Sequence, residues 1–319
     1  MKAPFTAAPC YNLPMRDETN TLLANARVGI LGLGLMGGSL ALALRGRVAH
    51  LLGVERQVIT RQMALRQGIV DEAVEELTAA APPLDLLVLA APVRVILDTL
   101  GRLPALRPAG CAVVDLGSTK RAVVAAMSAL PPVFAAVGGH PMCGKETAGL
   151  AAATADLYRG QTFILWPVPR PAPQPAAEAL ALALVEAAGA RPLWLDAAEH
   201  DRLVAAVSHL PALAAAALMR GAPDERQWAV SASGFRDAAR LAGSNPRMML
   251  DILLTNREAV LAALGAVRAD LAGLAAALER EDAAALADWL AEAQVAHAAY
   301  RRFKSGDYIA TTSEVFRDL

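Results

Sequence analysis

Three glycines and one glutamate are the first residues whose types and spacing could do chemistry. Gly32, Gly34 and Gly37 follow the apolar run Arg27–Leu31 and lead into a helical run, which is the G-x-G-x-x-G pattern in a strand–turn–helix setting. In that setting the first glycine permits a tight turn, the second admits a pyrophosphate and the third lets helix and strand pack closely. A buried glycine-rich turn without a ligand is the alternative. The next apolar run ends in Glu55, eighteen residues after Gly37, and this acid favours dinucleotide binding.

Glu55 also bears on which dinucleotide binds. A carboxylate at the end of the second strand accepts hydrogen bonds from both ribose hydroxyls and repels a 2′-phosphate, so NAD is favoured. The neighbouring Arg56 could neutralise that phosphate, which leaves NADP open. We expect the cofactor to contact Gly32, Leu33, Gly34, Leu35, Met36, Gly37, Glu55, Ala91 and Pro92.

Further polar residues stand where later apolar runs end. Short apolar runs that alternate with helical patterns are typical of parallel strands covered on both faces. Ligands of such sheets bind beyond the carboxyl ends of the strands. The dipeptide Ala91–Pro92, Ser118 and His140 each follow or close such a run, and we therefore expect them to converge on the nicotinamide side.

His140 stands at the head of the dense segment 139–146, which invites three interpretations. His140 and Cys143 have the spacing of two metal ligands, but no second ligand pair lies nearby, so we predict no metal. Cys143 as a nucleophile would need an activating base. A neutral imidazole can accept a hydroxyl proton near neutral pH, and we favour His140 as a general base.

Polar residues also interrupt the apolar second half of the chain. His209 lies in an apolar helical run that we expect Pro211 to break. A histidine in such a run is usually a hydrogen-bonded core residue, but we slightly favour a role for His209 in a site. Arg236 and Arg240 share one helical face. A solvated basic face is the alternative, but the neighbours of Arg240 are apolar, and an arginine among them would need a buried anion.

The elements that position these residues define an α/β fold class. Strands and helices alternate through residues 26–196, which predicts an N-terminal Rossmann-type dinucleotide-binding domain. Residues 197–319 are helical and predict an all-α dimerisation and substrate domain. Its helices are apolar over wide arcs, and buried helices have that character, so we expect a homodimer. Residues 1–25 read as a disordered leader.

Composition excludes several classes of protein. The net charge of −1 recommends neither nucleic acid nor a membrane surface as a partner. The three scattered cysteines suit a reducing cytoplasm, where we expect the protein to act. Neither of the most apolar stretches, 28–44 and 203–219, reads as a bilayer helix, because one holds five glycines and the other a histidine and a proline.

Five motifs in order resemble the prephenate and arogenate dehydrogenase family of tyrosine biosynthesis. They cover roughly residues 26–305 and are Gly32-Leu33-Gly34-Leu35-Met36-Gly37-Gly38-Ser39-Leu40, Asp115-Leu116-Gly117-Ser118-Thr119-Lys120, Gly139-His140-Pro141-Met142 with Glu146, Ser208-His209-Leu210-Pro211, and Gly234-Phe235-Arg236-Asp237 with Arg240. The resemblance implies oxidative decarboxylation of a cyclohexadienol, prephenate or arogenate, with NAD or NADP as acceptor. It also implies a helical dimerisation domain whose two copies interlock.

The resemblance assigns roles to single residues as well. It implies that His140 binds the ring hydroxyl of the substrate with help from Ser118, and that Arg240 binds a carboxylate. It implies that His209 lines the substrate pocket and that Glu146 and Arg236 belong to an ionic cluster at the mouth of that pocket.

The sequence departs from the family at two positions, and rival functions stay open. Ala212 stands where many relatives repeat a histidine, and Met249 stands where many carry tryptophan, which leaves the substrate preference open. Enzymes of the β-hydroxyacid dehydrogenase or imine reductase type share the glycine loop and a helical second domain. They do not explain His140, His209 and Arg240 together. A catalytically silent dinucleotide sensor is the rival from another class.

Overall fold

The computed structural model describes residues 21–172 and 174–305, and these form two compact units. Residues 21–260 belong to the larger unit and residues 261–305 to the smaller one. Residues 1–20, most of the expected leader, lie outside the described ranges. Residues 21–24 form a helical turn, and the buried side chain of Leu23 joins the main core.

An eight-stranded sheet forms the centre of the larger unit. Its strands are β1 (Arg27–Leu31), β2 (His50–Val54), β3 (Glu72–Val74), β4 (Leu86–Leu89), β5 (Ala112–Asp115), β6 (Ala135–Pro141), β7 (Thr162–Pro167) and β8 (Arg191–Trp194). Their spatial order is β3-β2-β1-β4-β5-β6-β7-β8, so the chain turns from one half of the sheet to the other beside β1 and β4. Ligands of doubly wound sheets bind at such a switch point.

The sheet departs from the predicted all-parallel pattern at one pair of neighbours, so β7 and β8 run opposite to the other six strands. All neighbouring pairs are parallel except β6 and β7, which pair antiparallel in the register His140↔Ile164. Two neighbouring parallel strands need a crossover connection between them, usually an α-helix. The segment between β6 and β7, which the structure describes in full, contains a single 3₁₀ turn, Leu150–Ala152, and no α-helix, so these strands pair antiparallel. The carboxyl end of β6, with His140, therefore lies beside the amino end of β7.

Helices cover both faces of the sheet. In the first half they are α1 (Leu35–Leu44), α2 (Val58–Arg66), α3 (Val93–Leu106), α4 (Arg121–Ser128) and α5 (Pro175–Ala187). One core packs α1 and α5 against the sheet through residues such as Leu40 and Leu184. A second core packs α3 and α4 through residues such as Ile96 and Val123. The strands contribute buried side chains to both cores, which explains their continuous apolar runs.

The rest of the described chain is helical, as predicted. Its elements are α6 (Ala197–Val204), a π-helical segment (Ala205–His209), α7 (Leu210–Gly221), α8 (Glu225–Ala229), α9 (Ser233–Ala239), a 3₁₀ turn (Arg240–Gly243), α10 (Pro246–Thr255), α11 (Arg257–Glu279) and α12 (Ala283–Ser305). The α/β fold class with a helical second part is confirmed. Residues 230–232 separate α8 from α9, and Asn256 separates α10 from α11.

Pro211 does not break its helix, which corrects the prediction. The chain stays helical from Ala197 to Gly221 and widens into the π-helical segment before the proline. The N–H of Leu210 donates to the carbonyl of Ala205, five residues earlier. A proline lacks an N–H and collides with the preceding turn, and the wider turn accommodates both effects.

Two helical stretches are long and apolar enough to cross a membrane by length and composition alone. They are Ala197–Gly221 and Arg257–Glu279, each with a mean hydropathy of 1.6. The second is largely exposed. Its middle carries Arg268 and Asp270, and Asp270 accepts hydrogen bonds from the indole N–H of Trp289 at 3.1 Å.

Candidate active site

The glycine loop leaves space where a pyrophosphate would lie. Gly32 has a φ of +94°, and a side chain there would place its Cβ 2.5 Å from the Ala90 carbonyl oxygen. A Cβ on Gly37 would lie 1.9 Å from the Gly32 carbonyl oxygen, so these two glycines are required by packing. A Cβ on Gly34 would meet nothing within 4 Å. Gly34 precedes the first residue of α1, whose free N–H groups favour an anion.

Glu55 lies against this loop. One carboxylate oxygen accepts from the Leu33 N–H at 3.1 Å, and the other accepts from the Gln57 N–H at 3.0 Å. The Arg61 guanidinium donates to the carbonyl oxygens of Glu55 and Arg56, at 2.6 and 2.7 Å. Each carboxylate oxygen keeps acceptor capacity beyond these bonds. The loop and Glu55 together fit the adenosine side of a dinucleotide.

Ala91 and Pro92 follow β4, which pairs with β1 at the glycine loop in the register Leu31↔Leu89. Pro92 caps α3, and Ala90 packs against Gly32 and Gly37. Ser118 is partly exposed just beyond β5, two strands from β1. Because β4 and β5 are parallel neighbours, Ala91, Pro92 and Ser118 follow strand ends at the same edge of the sheet.

His140 is one end of a hydrogen-bonded chain of three side chains. Its Nδ1 lies 2.7 Å from Nε2 of His200, and Nδ1 of His200 lies 2.9 Å from the carboxylate of Asp201. His200 and Asp201 are completely buried, whereas His140 is partly exposed. In the part of the chain that the structure describes, Nε2 of His140 has no hydrogen-bond partner.

Asp201 is held by the start of α4. Its two carboxylate oxygens accept from the main-chain N–H groups of Lys120, at 2.8 Å, and Arg121, at 2.9 Å. The positive end of a helix favours a negative charge at this position. The Asp201 carboxylate is thus an acceptor for two backbone donors and for the His200 ring at once.

This chain fixes which ring nitrogen of each neutral histidine carries the proton. Because a carboxylate can only accept, Nδ1 of His200 carries the proton of that bond. Nε2 of His200 is then an acceptor, so Nδ1 of His140 donates to it. The remaining nitrogen of His140, Nε2, is left with a free lone pair. This assignment follows from the hydrogen-bond network and defines a base.

Burial and neighbouring charges keep that base unprotonated. Desolvation is the largest cause that holds the pKa of His140 well below its ordinary value, and the neighbouring groups of His200, Lys120 and His209 act in the same direction. Asp115 and Asp201 are the carboxylates of the same buried network. The imidazole of His140 is therefore neutral at physiological pH and ready to accept a proton.

His209 lies in the π-helical segment and is buried. Its Nδ1 is 3.3 Å from the side-chain nitrogen of Asn256, which also donates to the Asp201 carbonyl oxygen at 2.7 Å. Burial lowers the pKa of His209 to about 4. His209 is thus tied through Asn256 to the backbone of the residue that supports His200.

Arg240 is more exposed than the sequence predicts. Its side chain is 56% exposed, and its guanidinium bonds to the Glu146 carboxylate at 2.8 Å. The burial expected from its apolar neighbours was wrong for the single chain, because Arg240 begins a 3₁₀ turn after the short helix α9. Arg236 is exposed and pairs with the adjacent Asp237 at 3.3 Å, so Glu146 contacts Arg240 and not Arg236.

Sequence reasoning missed the buried polar residues behind His140. Asp115 and Lys120 stood inside a quoted motif without a role, and His200, Asp201 and Asn256 were not singled out. A signal existed for two of them. Counting in steps of three and four from the buried Val204 and Ala205 puts His200 and Asp201 on the same buried stripe. Charged residues on such a stripe need partners.

The described residues offer no geometry for a metal site or for a nucleophilic Cys143. Within residues 21–172 and 174–305, no group of three or more histidine, cysteine or acidic side chains is arranged to hold a metal ion. Burial raises the pKa of the Cys143 thiol to about 11, which opposes a role as nucleophile.

The glycine loop, the acid beside it and the neutral histidine base lie in one sheet-centred unit, and this arrangement is typical of a dinucleotide-binding domain that carries a candidate catalytic base. Two family models match the chain: the prephenate dehydrogenase nucleotide-binding domain over residues 39–192 and the prephenate dehydrogenase dimerization domain over residues 196–292. The chain belongs to the prephenate dehydrogenase family.

Individual relatives agree with the family models. The chain is 31% identical to a prephenate dehydrogenase of Bacillus subtilis, over 73% of this chain and 64% of that protein. It therefore spans somewhat less than two thirds of that relative. It is 31% identical to a cyclohexadienyl dehydrogenase of Zymomonas mobilis, over 86% of this chain and 96% of that protein.

A solved structure of similar extent is that of prephenate dehydrogenase from A. aeolicus in complex with hydroxyphenyl propionate and NAD+. It covers 87% of this chain and 99% of its own length, with 29% identity and a TM-score of 0.77.

The buried His209 should make stability depend on pH. Its pKa in the folded protein, about 4, lies below the reference value of about 6.5, so the unfolded chain binds more protons between these values. Stability from this group is present above about pH 6.5 and is lost as pH falls towards 4. We expect the melting temperature to decline over that window and His209→Asn to flatten the decline.

The asparagine keeps an acceptor for Asn256, which limits the damage to packing. His297→Asn is the matched control, because His297 is exposed, and it should leave the slope as in the wild type. Equal slopes for His209→Asn and the wild type would contradict the burial argument.

Proposed function

We propose that the protein catalyses the NAD-dependent oxidative decarboxylation of prephenate to 4-hydroxyphenylpyruvate. The observation that carries the proposal is the free Nε2 of His140. This histidine lies at the sheet edge where the strands end, and its other nitrogen is hydrogen-bonded to His200, which in turn bonds to Asp201. Arogenate is the second candidate substrate. It is favoured by the match over nearly the whole length of a cyclohexadienyl dehydrogenase.

NAD is the proposed cofactor. When bound, its nicotinamide ring accepts the hydrogen and electron pair of the substrate carbinol carbon. Gly34 and the start of α1 would hold the pyrophosphate, and Glu55 would accept hydrogen bonds from the adenosine ribose. The fit rests on the open space at Gly34 and on the Glu55 carboxylate fixed at the loop by Leu33. A 2′-phosphate would meet that carboxylate with like charge.

His140 is the proposed base that removes the hydroxyl proton of the substrate. Oxidation at a carbinol carbon needs the hydroxyl proton withdrawn, and Nε2 of His140 accepts it. The imidazolium that forms donates through Nδ1 to His200, whose own proton is held by the Asp201 carboxylate. Loss of CO₂ then moves the electron pair of the broken C–C bond into the ring and makes it aromatic, which supplies the driving force, and the ring oxygen takes the proton back from Nε2 of His140. We propose that Ser118, partly exposed at the end of β5, assists His140 at the hydroxyl.

The substrate carboxylates are the proposed ligands of Arg240. Only one of its nitrogens bonds to Glu146 in the structure, so other donors of the guanidinium stay available. Glu146 and Arg236 would then set the charge around the entrance, and His209 would line the pocket. An arginine offers two parallel donors to a carboxylate, which lysine does not.

We further propose that a second copy of the chain covers the helical half. In the smaller unit, Leu261, Leu271 and Val295 expose 57%, 51% and 68% of their area. The match to a dimerization domain over residues 196–292 supports a homodimer. The central Arg268 and Asp270 of α11 favour a protein partner over a bilayer. We propose that the enzyme acts in the cytoplasm. We also propose that its two domains meet between residues 196 and 197.

A single assay tests the proposed function. Purified protein is mixed with prephenate or arogenate, each with NAD or NADP, and absorbance of the reduced cofactor is followed. We expect the highest kcat/KM with NAD and prephenate. A higher value with arogenate would favour the second candidate, and a higher value with NADP would contradict the role of Glu55. Absence of reduction in all four mixtures would contradict the function and favour a silent sensor.

Replacing the base should remove most of the rate and spare cofactor binding. General base catalysis contributes roughly 10² to 10⁴ in rate, and we expect His140→Asn to lower kcat on that scale. The asparagine amide can still donate to His200 in place of Nδ1, so the fold should persist. NAD affinity, measured by quenching of tryptophan fluorescence, should change little. A variant with near-native kcat would remove His140 from the mechanism.

Replacing Arg240 should weaken substrate binding. Because its side chain is about half exposed, we expect Arg240→Gln to raise KM by about tenfold, or about 1.4 kcal/mol, below the usual cost for a desolvated pair. The matched control is Arg226→Gln, since Arg226 is exposed and pairs with the nearby Asp224. A change in KM of less than twofold for Arg240→Gln would make it a solvated surface residue.

A further inference from the structure

Lys120 has a fully buried side chain one residue before α4. Its ammonium contacts the buried carboxylate of Asp115 and donates to the Gly139 carbonyl oxygen at 2.8 Å. It also lies over the ring of Trp166, 4.7 Å from the ring centre. A lysine is almost never fully buried unless it is paired, so its contacts indicate what it is there to hold.

The Asp115–Lys120 ion pair forms hydrogen bonds to β6 beyond the point where β6 stops pairing with β5. The β5–β6 register ends at Val114↔Val137, yet β6 continues through His140. Beyond that point Asp115 accepts from the Gly139 N–H at 3.1 Å, and Lys120 donates to the Gly139 carbonyl. Both polar groups of the residue before His140 are therefore bound by the two members of one ion pair.

The main chain of the same lysine reaches the other end of the histidine chain. The Lys120 N–H donates at 2.8 Å to the Asp201 oxygen that also bonds to His200. One residue thus contacts the peptide that carries His140 and the carboxylate that stands behind His200. A displacement of Lys120 would therefore move both the Gly139–His140 peptide and the Asp201 carboxylate, and with them the His140–His200 hydrogen bond.

We propose that Lys120 is a positioning residue for the reaction assigned to His140. Its side chain fixes the Gly139–His140 peptide, its N–H fixes Asp201, and its charge opposes protonation of the base. The inference rests on the proposed function. A role in stability alone is a weaker account, because replacing a buried ion pair by apolar residues of similar volume is often neutral or stabilising.

Several ionisable groups surround His140. His200 and Asp201 of α6, His209 of the π-helical segment and the Asp115–Lys120 pair are the ionisable groups of the network around His140. Among them, the Lys120 ammonium is the cation that acts against a proton on His140. Removing the Lys120 charge should therefore make His140 easier to protonate.

The test is Lys120→Met, together with a second variant that also carries Asp115→Asn so that no unpaired carboxylate remains. We expect both folded variants to lower kcat by about tenfold or more, with KM and NAD affinity within about threefold of the wild type. The acid limb of the kcat profile should move to higher pH, because the cation that disfavours His140 protonation is gone.

Arg107→Met is the matched control. Arg107 is also buried and also donates to carbonyl oxygens, those of Ala81 and Pro82, but it lies beyond the far end of α3, before β5 begins. This variant should lose thermal stability while kcat and the acid limb stay in place. Lys120 variants that behave like this control would overturn the proposal.

A second readout separates this inference from the proposed function. The ring C–H signals of ¹³C-labelled histidine are titrated without substrate, and the His140 signal is identified by its loss in His140→Asn. We expect its midpoint to rise in both Lys120 variants, whatever substrate the enzyme uses. An unchanged midpoint would overturn the charge part of the proposal. A wild type that oxidises neither cyclohexadienol would overturn only the proposed function.

Discussion

The structure depends on the burial of one carboxylate, that of Asp201. A buried charge is costly unless it is paired and hydrogen-bonded, and Asp201 meets the requirement with two backbone donors at the start of α4 and one ring donor from His200. These donors come from two different parts of the chain. Satisfying the carboxylate therefore fixes α6, the first helix of the helical region, against the dinucleotide-binding sheet.

The chemistry of the site follows from that constraint. The acceptor at Asp201 sets the proton on His200, and His200 in turn sets the proton on His140. The Asp201 carbonyl holds Asn256, which contacts His209, so the same residue orders both histidines of the site. Lys120 joins this centre to the end of β6. Catalytic geometry and fold stability therefore depend on the same buried contacts.

The sequence predicts the parts of this structure that local patterns determine. The bounds of β1 and the end of β2 before Glu55 agree with the predicted runs, because apolar strands that end in glycine or an acid are marked by their own residues. The three-residue strand β3 and the antiparallel direction of β7 depend on pairing with other strands, and no local pattern contains that information. The break between α10 and α11 at Asn256 has the same origin, because the Asn256 side chain contacts the distant Asp201 and His209.

The candidate site divides in the same way. The glycine loop, Glu55 and His140 stand in motifs that can be read along the chain. The bond from Asp201 to the Lys120 N–H joins residues 81 apart in sequence, and only the folded sheet brings them together. Arg240 shows the opposite failure, because apolar neighbours in sequence predicted burial and the short helices at that point left it exposed.

The central claim is that Asp201, through His200, makes Nε2 of His140 the free base. The measurement that tests it most directly is the ¹⁵N NMR spectrum of the protein with labelled histidine at neutral pH, with His140 assigned by comparison with His140→Asn. The account predicts a neutral ring with the proton on Nδ1 and none on Nε2. A His140 ring protonated on Nε2, or on both nitrogens, would contradict it.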